Sequence, residues 1–343
     1  MAHSGFEPES GSSRKGAAQW RAWRALRGAR GYRLLMNPML EQVIEPRRHD
    51  LGGFEVERVL PFRARRMVGP FVFFDRMGPH DLQAPVPRGV DVRPHPHIGL
   101  STVTYLFEGE MTHRDSTGAT QAIRPGALNW MTAGGGIVHS ERFDGMRATG
   151  GPIDGIQSWV ALPRENEEDD PSFEHYDAHA LPRGDEAGVS LRLIAGEAFG
   201  LRSPARTHSP LFYAHVELQP GARIALPAGP AERAVYVARG QVRCGSTQHD
   251  CGRLLVFRAG GAPEVQAVGN ARLMLLGGEP VGERFLWWNF VSSSRERIEQ
   301  AKADWAAGRM RMPPGDDAER IPLPANSRAS SSGSDAPSPN PMS

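Results

Sequence analysis

Short strand-like segments, each bounded by glycine or proline, are the feature of this sequence that most restricts its fold. Segments 71–74, 101–109, 127–133 and 154–162 are rich in β-branched and aromatic residues, and a second series of such segments spans 189–279. The 39 Gly and 29 Pro among 343 residues follow no Gly-X-Y period, which excludes a collagen and argues against a long-helix protein. The pattern predicts an all-β fold of the sandwich or barrel type.

The composition also excludes several partners and settings. The balance of 40 Lys+Arg against 39 Asp+Glu argues against bulk nucleic acid or an anionic membrane as the main partner. No apolar run approaches the ~18 residues that a membrane span needs. Cys244 and Cys251 cannot form a disulfide framework. We therefore expect structural thiols, a reducing compartment and a cytoplasmic location.

The two ends of the chain differ in composition from its middle. Residues 1–36 carry seven basic and two acidic residues, a charge of +5, which leaves −4 for the remaining 307 residues. We expect 1–38 to be a disordered basic extension, and a basic amphipathic helix is the alternative. We expect 313–343 to be a disordered tail, because 325–343 contain no core-forming run.

The strand-like middle of the chain contains two related halves. The segment YLFEGEM at 105–111 matches YVARGQV at 236–242, an offset of 131 residues. Each segment is followed by a strand-like run that ends in Ala-Gly-Gly, at 133–135 and at 259–261. Internal similarity of this kind predicts a duplicated β-barrel.

An acidic stretch at 165–171 marks the expected boundary between an N-terminal domain, 39–170, and a C-terminal domain, 171–312. The second domain ends in a predicted helix. Ser293 and Glu296 fit the S-x-x-E capping box, and apolar residues recur beyond them at helical spacing. We expect this helix to pack on a β domain.

Two residue pairs in the first half have the spacing of metal ligands. His95 and His97 form an H-x-H motif, and His139 and Glu141 form an H-x-E motif. On a strand, residues i and i+2 point to the same face, so two neighbouring strands can direct three imidazoles and one carboxylate at one ion. Such a donor set suits Fe(II), Mn, Ni, Co, Cu or Zn and discriminates poorly among them.

The second half provides an internal comparison for these four residues. The segment LPA at 226–228 stands where the first half has H-x-H, and Val265 and Ala267 stand at the places of His139 and Glu141. The apolar framework persists there without any of the four polar side chains. The histidines of the first half are therefore interpreted as ligands, and the C-terminal domain is predicted to bind no metal.

Long stretches of the sequence resemble the pirin family of the cupin superfamily. The stretches at 93–118 (RPHPHIGLSTVTYLFEGEMTHRDSTG) and 123–141 (IRPGALNWMTAGGGIVHSE) carry most of the resemblance, and 155–165 and 285–305 also match. The resemblance covers roughly residues 40–312. It implies two cupin (jelly-roll) β-barrels packed face to face, a metal in the N-terminal barrel alone, and a C-terminal helix.

The resemblance assigns the metal to the same four residues that the spacing selects. It implies one divalent ion but says little about which metal binds. We expect Fe(II), with Mn, Ni, Co, Cu or Zn as alternatives. Many cupins carry a ligand Glu four or five residues after H-x-H, whereas this chain has Ser101 and Thr102 there. The carboxylate must therefore come from Glu141, which is also the expected catalytic residue.

Three functions are considered, of which the resemblance suggests the first two. The first is a quercetin 2,3-dioxygenase, in which the metal binds a flavonol, Glu141 takes the proton of its 3-hydroxyl group, and O2 opens the ring with loss of carbon monoxide. The second is a non-catalytic metal- or redox-sensing protein that regulates a transcription factor or an enzyme by binding it. The third is an oxidoreductase of another aromatic compound. We expect a monomer without direct contact to nucleic acid.

Two groups of residues near the predicted ligands each have two possible roles. Four polar residues can orient the imidazoles, although surface or turn roles are favoured for each: Asp75, Asp91, Asp115 and Asn129. His113 is predicted to join a buried polar network. Four apolar residues can line an aromatic pocket, with ordinary core packing the favoured reading: Phe73, Trp130, Met131 and Trp159.

Overall fold

The computed structural model describes residues 39–50 and 55–324. The predicted extension at 1–38 and residues 325–343 of the predicted tail lie outside these ranges. No helix within them is long and apolar enough to cross a membrane.

Strands make up most of the described chain. Those of the first half are β1 (Leu40–Ile44), β2 (Arg47–Asp50), β3 (Glu55–Leu60), β4 (Phe71–Leu82), β5 (Val92–His97), β6 (Leu100–Glu108), β7 (Met111–Asp115), β8 (Thr120–Ile123), β9 (Leu128–Thr132), β10 (Ile137–Arg142), β11 (Gly151–Ala161) and β12 (Ser172–Tyr176). Those of the second half are β13 (Arg183–Glu186), β14 (Val189–Ala198), β15 (Leu201–Arg202), β16 (Leu211–Leu218), β17 (Arg223–Ala225), β18 (Glu232–Arg239), β19 (Gln241–Cys244), β20 (Thr247–Asp250), β21 (Leu254–Phe257), β22 (Glu264–Ala267), β23 (Ala271–Gly278), β24 (Phe285–Trp287) and β25 (Phe290–Ser292). An α-helix, α1 (Arg295–Ala306), follows, and short 3-10 helices lie at Arg88–Val90, Asp144–Met146 and Arg164–Asn166.

Each half folds into a barrel made of one large and one small antiparallel sheet. In the N-terminal barrel the large sheet has the order β12-β9-β6-β11-β4-β3-β2 and the small sheet β5-β10-β7-β8. In the C-terminal barrel the large sheet runs β1-β21-β18-β23-β16-β14-β13, with β15 beside β14, and the small sheet is β17-β22-β19-β20. The shared strand order confirms the predicted all-β fold with two duplicated barrels.

The two barrels pack face to face through their large sheets. One core cluster contains Phe74 and Trp130 of the N-terminal barrel together with Tyr213 and Tyr236 of the C-terminal barrel. The ring centroids of Phe74 and Tyr236 lie 4.9 Å apart. Because side chains alternate between the two faces of a strand, the other face of the N-terminal large sheet is turned towards its own small sheet.

The predicted domain limits, 39–170 and 171–312, are wrong at two edge strands. β1 pairs with β21 of the C-terminal barrel, where Leu40 lies opposite Phe257. β12 pairs with β9 of the N-terminal barrel, where Phe173 lies opposite Met131. The backbone groups of an edge are satisfied by whichever strand reaches it, and no local sequence pattern records that choice.

The C-terminal helix packs on the N-terminal barrel rather than on its own. It buries the three residues that helical spacing selects, Ile298, Ala301 and Trp305, in a cluster shared with β4, β6 and β11. Its N-cap is Ser294, whose hydroxyl accepts a hydrogen bond from the N–H of Arg297. The predicted cap, Ser293, instead donates its N–H and its hydroxyl to the buried carboxylate of Glu167.

The predicted tail from residue 313 is also wrong over its first part. Residues 313–324, named here the C-terminal strap, lie against the small sheet of the N-terminal barrel. The N–H of Ile321 donates to the carbonyl oxygen of Pro94 at 2.9 Å. Trp305 Nε1 donates to the carbonyl oxygen of Ile321 at 3.0 Å. Burial of the Ile321 side chain anchors the strap, and a single apolar residue gives too weak a pattern to be recognised in the sequence.

The exchanged strand β1 yields a stability prediction. Ile44 is fully buried in the cluster between the barrels, so Ile44→Ala is expected to lower the free energy of unfolding by about 2–5 kcal/mol. Val268→Ala, at a side chain that is 40% exposed, is the matched control and should change it by less than about 0.5 kcal/mol. Urea denaturation measures both, and equal effects would contradict the placement of β1.

Candidate metal centre

The two ligand pairs lie on neighbouring strands of the small sheet. β5 carries His95 and His97, β10 carries His139 and Glu141, and the antiparallel register places His139 opposite His95. Two prolines alternate with the histidines of β5, which is an edge strand where a missing N–H is tolerated. The period of two turns all four side chains into the barrel, where none is more than 2% exposed.

The three imidazoles converge on one point. Each offers a nitrogen atom that lies within 4.8 Å of the nitrogens offered by the other two. The Nε2 atoms of His97 and His139 are 3.1 Å apart. Within the described part of the chain this is the one such group of His, Cys, Asp or Glu residues.

Backbone carbonyls fix the orientation of two of the imidazoles. His95 Nδ1 donates to the carbonyl oxygen of Arg93 at 2.9 Å, and His97 Nδ1 donates to that of Asn289 at 3.1 Å. A carbonyl oxygen can only accept, so the proton of each neutral ring is on Nδ1 and the lone pair is on Nε2. This tautomer is the one that binds a metal through Nε2.

The third imidazole, that of His139, is oriented by hydrogen bonds that run through two further side chains. His113 Nε2 donates to the carboxylate of Asp115 at 2.8 Å. Its Nδ1 is thereby left as the acceptor for His139 Nδ1, 3.4 Å away. Burial alone raises the pKa of Asp115, but hydrogen bonds from His113 and Thr117 lower it below its usual value, which keeps the carboxylate ionised. The expected polar network around His113 is confirmed, and Asp115 orients His139 through His113.

Glu141 lies beside the three imidazoles and is not part of the group that shares the 4.8 Å limit. A β-bulge separates it from His139 in the pairing with β5. Its Oε1 lies 3.5 Å from the Thr104 hydroxyl, and its buried Oε2 has no partner among the described residues. Burial raises the pKa of Glu141 to about 7.

The chemistry of these donors fits a divalent metal ion. His95 Nε2 and Glu141 Oε2 are buried without hydrogen-bond partners among the described residues, a costly state that an ion would relieve. Burial lowers the pKa of His95 to about 4 and those of His97 and His139 well below their usual value, so all three rings are neutral at pH 7. Neutral imidazoles carry the lone pairs that coordination requires.

The large sheet opposes the ligands with a continuous row of polar side chains, which we name the polar row. Its members are cross-strand neighbours: Arg58, Asp75, Gln157, Thr104, Asn129 and His175. Arg58 binds Asp75 through two hydrogen bonds of 2.7 Å, and Thr104 donates to Gln157 at 2.8 Å. Sequence reasoning missed four of the six: Arg58, Thr104, Gln157 and His175. The available signal was the alternation of polar residues within strands that are otherwise apolar.

The next row along the same face is mainly apolar, and we name it the aromatic row. Its members are Phe73, Trp159, Thr102, Met131 and Phe173. The Phe73 and Trp159 rings stack with centroids 4.0 Å apart, and the Trp159 ring lies 5.0 Å from that of His97. All four predicted pocket residues are buried in core clusters, as the favoured interpretation expects. Trp159 also contacts a proposed ligand, His97, whereas Trp130 faces the other barrel.

Comparison with known proteins agrees with this architecture. Residues 53–160 match the pirin family, and residues 213–311 match the pirin C-terminal cupin domain. A pirin-like protein of Caulobacter vibrioides is 58% identical over 287 residues, which are 83% of this chain and 100% of that protein. The chain belongs to the pirin family.

A human protein and a bacterial crystal structure are also similar to this pirin. Human pirin is 32% identical over 260 residues, which cover 71% of this chain and 86% of that protein. A crystal structure of quercetin 2,3-dioxygenase from Acinetobacter baumannii has a TM-score of 0.77 at 33% identity and covers 84% of this chain and 96% of that chain. The predicted family and the bicupin fold are thereby confirmed.

Three of the expected orienting residues of this pirin do not contact the three proposed ligand imidazoles. Asp75 binds Arg58, and Asn129 accepts a hydrogen bond from His175 at 2.7 Å. Asp91 is buried and accepts hydrogen bonds of 2.6 and 2.7 Å from Arg147. Each residue instead holds another polar side chain of the barrel in place.

The C-terminal barrel contains apolar side chains where the N-terminal barrel has the proposed ligands. Leu226, Val265 and Ala267 all belong to its core cluster, as does Cys244. Cys251 is exposed. No group of potential metal ligands is found in this barrel within the described residues.

The C-terminal strap holds the outer side of the strand that carries His139 and Glu141. Ser140, which lies between them, donates its hydroxyl to Asp316 at 2.6 Å. Arg142 donates to the same carboxylate at 2.6 and 2.9 Å. The strap therefore restrains β10 directly behind the ligands.

Removing the negative charge at the end of the histidine chain should weaken metal binding. Asp115→Asn can no longer accept the His113 proton as a carboxylate does, so His139 loses its orientation, and metal affinity should fall about 10–100-fold. Asp144→Asn, at a partly exposed aspartate paired with Arg114, is the control. Competition with a chelating dye measures the dissociation constant, and an unchanged value for Asp115→Asn would contradict the relay.

Loss of the strap contact should have a smaller effect of the same sign. Asp316→Ala frees β10 behind the ligands and is expected to weaken metal binding several-fold, roughly 1 kcal/mol. Glu319→Gln, at a carboxylate that contacts Arg142 but not Ser140, should bind metal as the parent does. Equal affinities for the parent and Asp316→Ala would show that the strap does not restrain the ligands.

Proposed function

We propose that this pirin is a metal-dependent dioxygenase of the quercetin 2,3-dioxygenase type, which opens a flavonol ring with O2. The observation that carries the proposal is the combination of three converging neutral imidazoles with one unpartnered carboxyl oxygen in a closed barrel. The name of the similar Acinetobacter baumannii structure supports the same reaction.

His95, His97 and His139 would hold the metal through Nε2, and Glu141 is proposed as the fourth ligand or as the base beside it. The ion we propose is Fe(II), with Mn, Ni, Co, Cu or Zn as alternatives that a set of three imidazoles and a carboxylate also accepts. When bound, a divalent ion supplies positive charge that lowers the pKa of a coordinated hydroxyl group.

Glu141 is the group that would take the proton from the flavonol hydroxyl. Its Oε1 is turned to Thr104, whereas its Oε2 has no partner, so Oε2 is the atom available to the substrate. Burial stabilises the protonated form of Glu141, which would therefore retain the proton after transfer.

The walls of the barrel would exclude water and hold the ring. The aromatic row presents the stacked Phe73 and Trp159 rings next to His97. The four proposed ligands are almost completely shielded from solvent. A dry interior protects a reactive enolate from competing hydrolysis and protonation.

The same shielding favours a second candidate, a metal-sensing protein that regulates a partner by binding it. A flavonol reaches the imidazoles only if the barrel opens, whereas a metal ion needs far less room. A surface groove of about 480 Å³ lies behind the ligand strands and is lined by Ile98, Val138 and Arg297. Ile98 and Val138 adjoin His97 and His139 in the chain, so a partner seated in this groove would contact the ligand strands.

Oxygen uptake with quercetin separates the two candidates. Protein loaded with Fe(II) or another divalent ion is expected to consume O2 and bleach quercetin, and His97→Ala should reduce the rate at least about 100-fold because a ligand is lost. His179→Ala, at an exposed histidine, should retain the parent rate. No turnover with any of the six metals would reject the dioxygenase and favour the sensor.

A further inference from the structure

Two buried N–H groups on β11 have no hydrogen-bond partner among the described residues. They are Nε2 of Gln157 and Nε1 of Trp159. Gln157 is 1% exposed and Trp159 is fully buried. The two residues are separated by one position, so both side chains lie on the face of the strand that is turned to the metal ligands.

These two side chains lie next to different members of the ligand group. Gln157 Oε1 accepts a hydrogen bond from Thr104 at 2.8 Å, and the Thr104 hydroxyl lies 3.5 Å from Glu141 Oε1. The Trp159 ring meets the His97 ring edge to face at 5.0 Å. The amide therefore lies on the Glu141 side of the centre, and the indole lies on the His97 side.

A buried N–H without an acceptor is unfavourable, because folding removes it from water and offers nothing in return. Native proteins satisfy nearly all such groups through protein, ordered water or a ligand. Both unpartnered groups are donors, whereas Glu141 Oε2 and His95 Nε2, also unpartnered, are atoms that a metal ion can satisfy. The two donors need acceptor atoms, which oxygen atoms of a ligand at the metal would supply.

We propose that the side-chain N–H groups of Gln157 and Trp159 bind oxygen atoms of the ligand at the metal centre. They thereby select aromatic ligands that carry an acceptor oxygen next to the metal-binding oxygen. The inference deepens the proposed function and rests on its metal centre, but it does not depend on turnover. The stacked Phe73 and Trp159 rings provide the apolar side of the same site.

The cost of an unpartnered N–H group also makes the site selective among ligands. An aromatic ligand of similar shape that lacks the second oxygen would bury the amide and the indole N–H without acceptors, and it would bind more weakly. A ligand with adjacent hydroxyl and carbonyl oxygens would satisfy the donors while one oxygen binds the metal. Gln157 and Trp159 are thus specificity-determining residues rather than metal ligands.

The test measures ligand binding without turnover. Chelator-treated protein is reloaded with one equivalent of Co(II) under argon and titrated with quercetin, which is followed by its absorbance. Acetate serves as a small oxygen-donor probe and is followed by the Co(II) visible spectrum. Gln157→Leu removes the amide, Trp159→Phe removes the N–H but keeps a ring, and Ser158→Ala is the control on the opposite face of β11.

We expect Gln157→Leu and Trp159→Phe each to raise the dissociation constant of quercetin about tenfold. The dissociation constant of Co(II) should stay within about twofold of the parent value, because neither side chain binds the metal. Ser158→Ala should bind both quercetin and Co(II) as the parent does. If Gln157→Leu loses its cooperative thermal transition, Trp159→Phe decides, since its ring retains much of the packing.

Three results would overturn the inference. The first is parent-like binding of quercetin by both variants, and the second is a loss of Co(II) affinity as large as the loss of quercetin affinity. The third is a parent that binds neither probe. If the parent binds acetate but not quercetin, and both variants weaken acetate binding, the donors act as proposed and the flavonol assignment fails instead.

Discussion

The hydrogen bonds at Nδ1 of the three histidines are the interactions on which the rest of the site depends. Each one fixes a tautomer and thereby directs an Nε2 lone pair to the centre. Their acceptors come from three places: the carbonyl of Arg93 on the same strand, the His113–Asp115 chain on β7, and the carbonyl of Asn289 beyond the second barrel. The proposed metal centre of the N-terminal barrel therefore depends on a chain segment that follows the C-terminal barrel.

This requirement accounts for the return of residues 285–324 to the first barrel. The hairpin β24–β25 positions Asn289, α1 packs behind it, and the strap closes over β10 at Asp316. The two faces of the large sheet of the N-terminal barrel have different roles. One of its faces holds the two barrels together, and the other presents the polar and aromatic rows to the ligands. Stability and the chemical character of the site are set by the same strands.

The sequence predicted what depends on local alternation, and it missed what depends on pairing between distant strands. His95, His97 and His139 could be recognised because strand period and spacing are local, and the second half lacked them. The polar row could not be recognised in the sequence. Its six residues come from six strands and become neighbours only when the strands pair in the correct register. The exchanged strand β1 and the strap were missed for the same reason, as each is placed by a partner more than a hundred residues away.

The central claim is that three imidazoles of the N-terminal barrel bind one divalent ion with Glu141 beside them. X-ray absorption on protein loaded with Co(II) measures this most directly, because imidazole rings give a distinct multiple-scattering pattern that reports their number. The account predicts one tightly bound equivalent with three imidazoles, and a change in the oxygen shell when Glu141 is replaced by Ala. Fewer than three imidazoles, or Co(II) distributed over several weak sites, would contradict it.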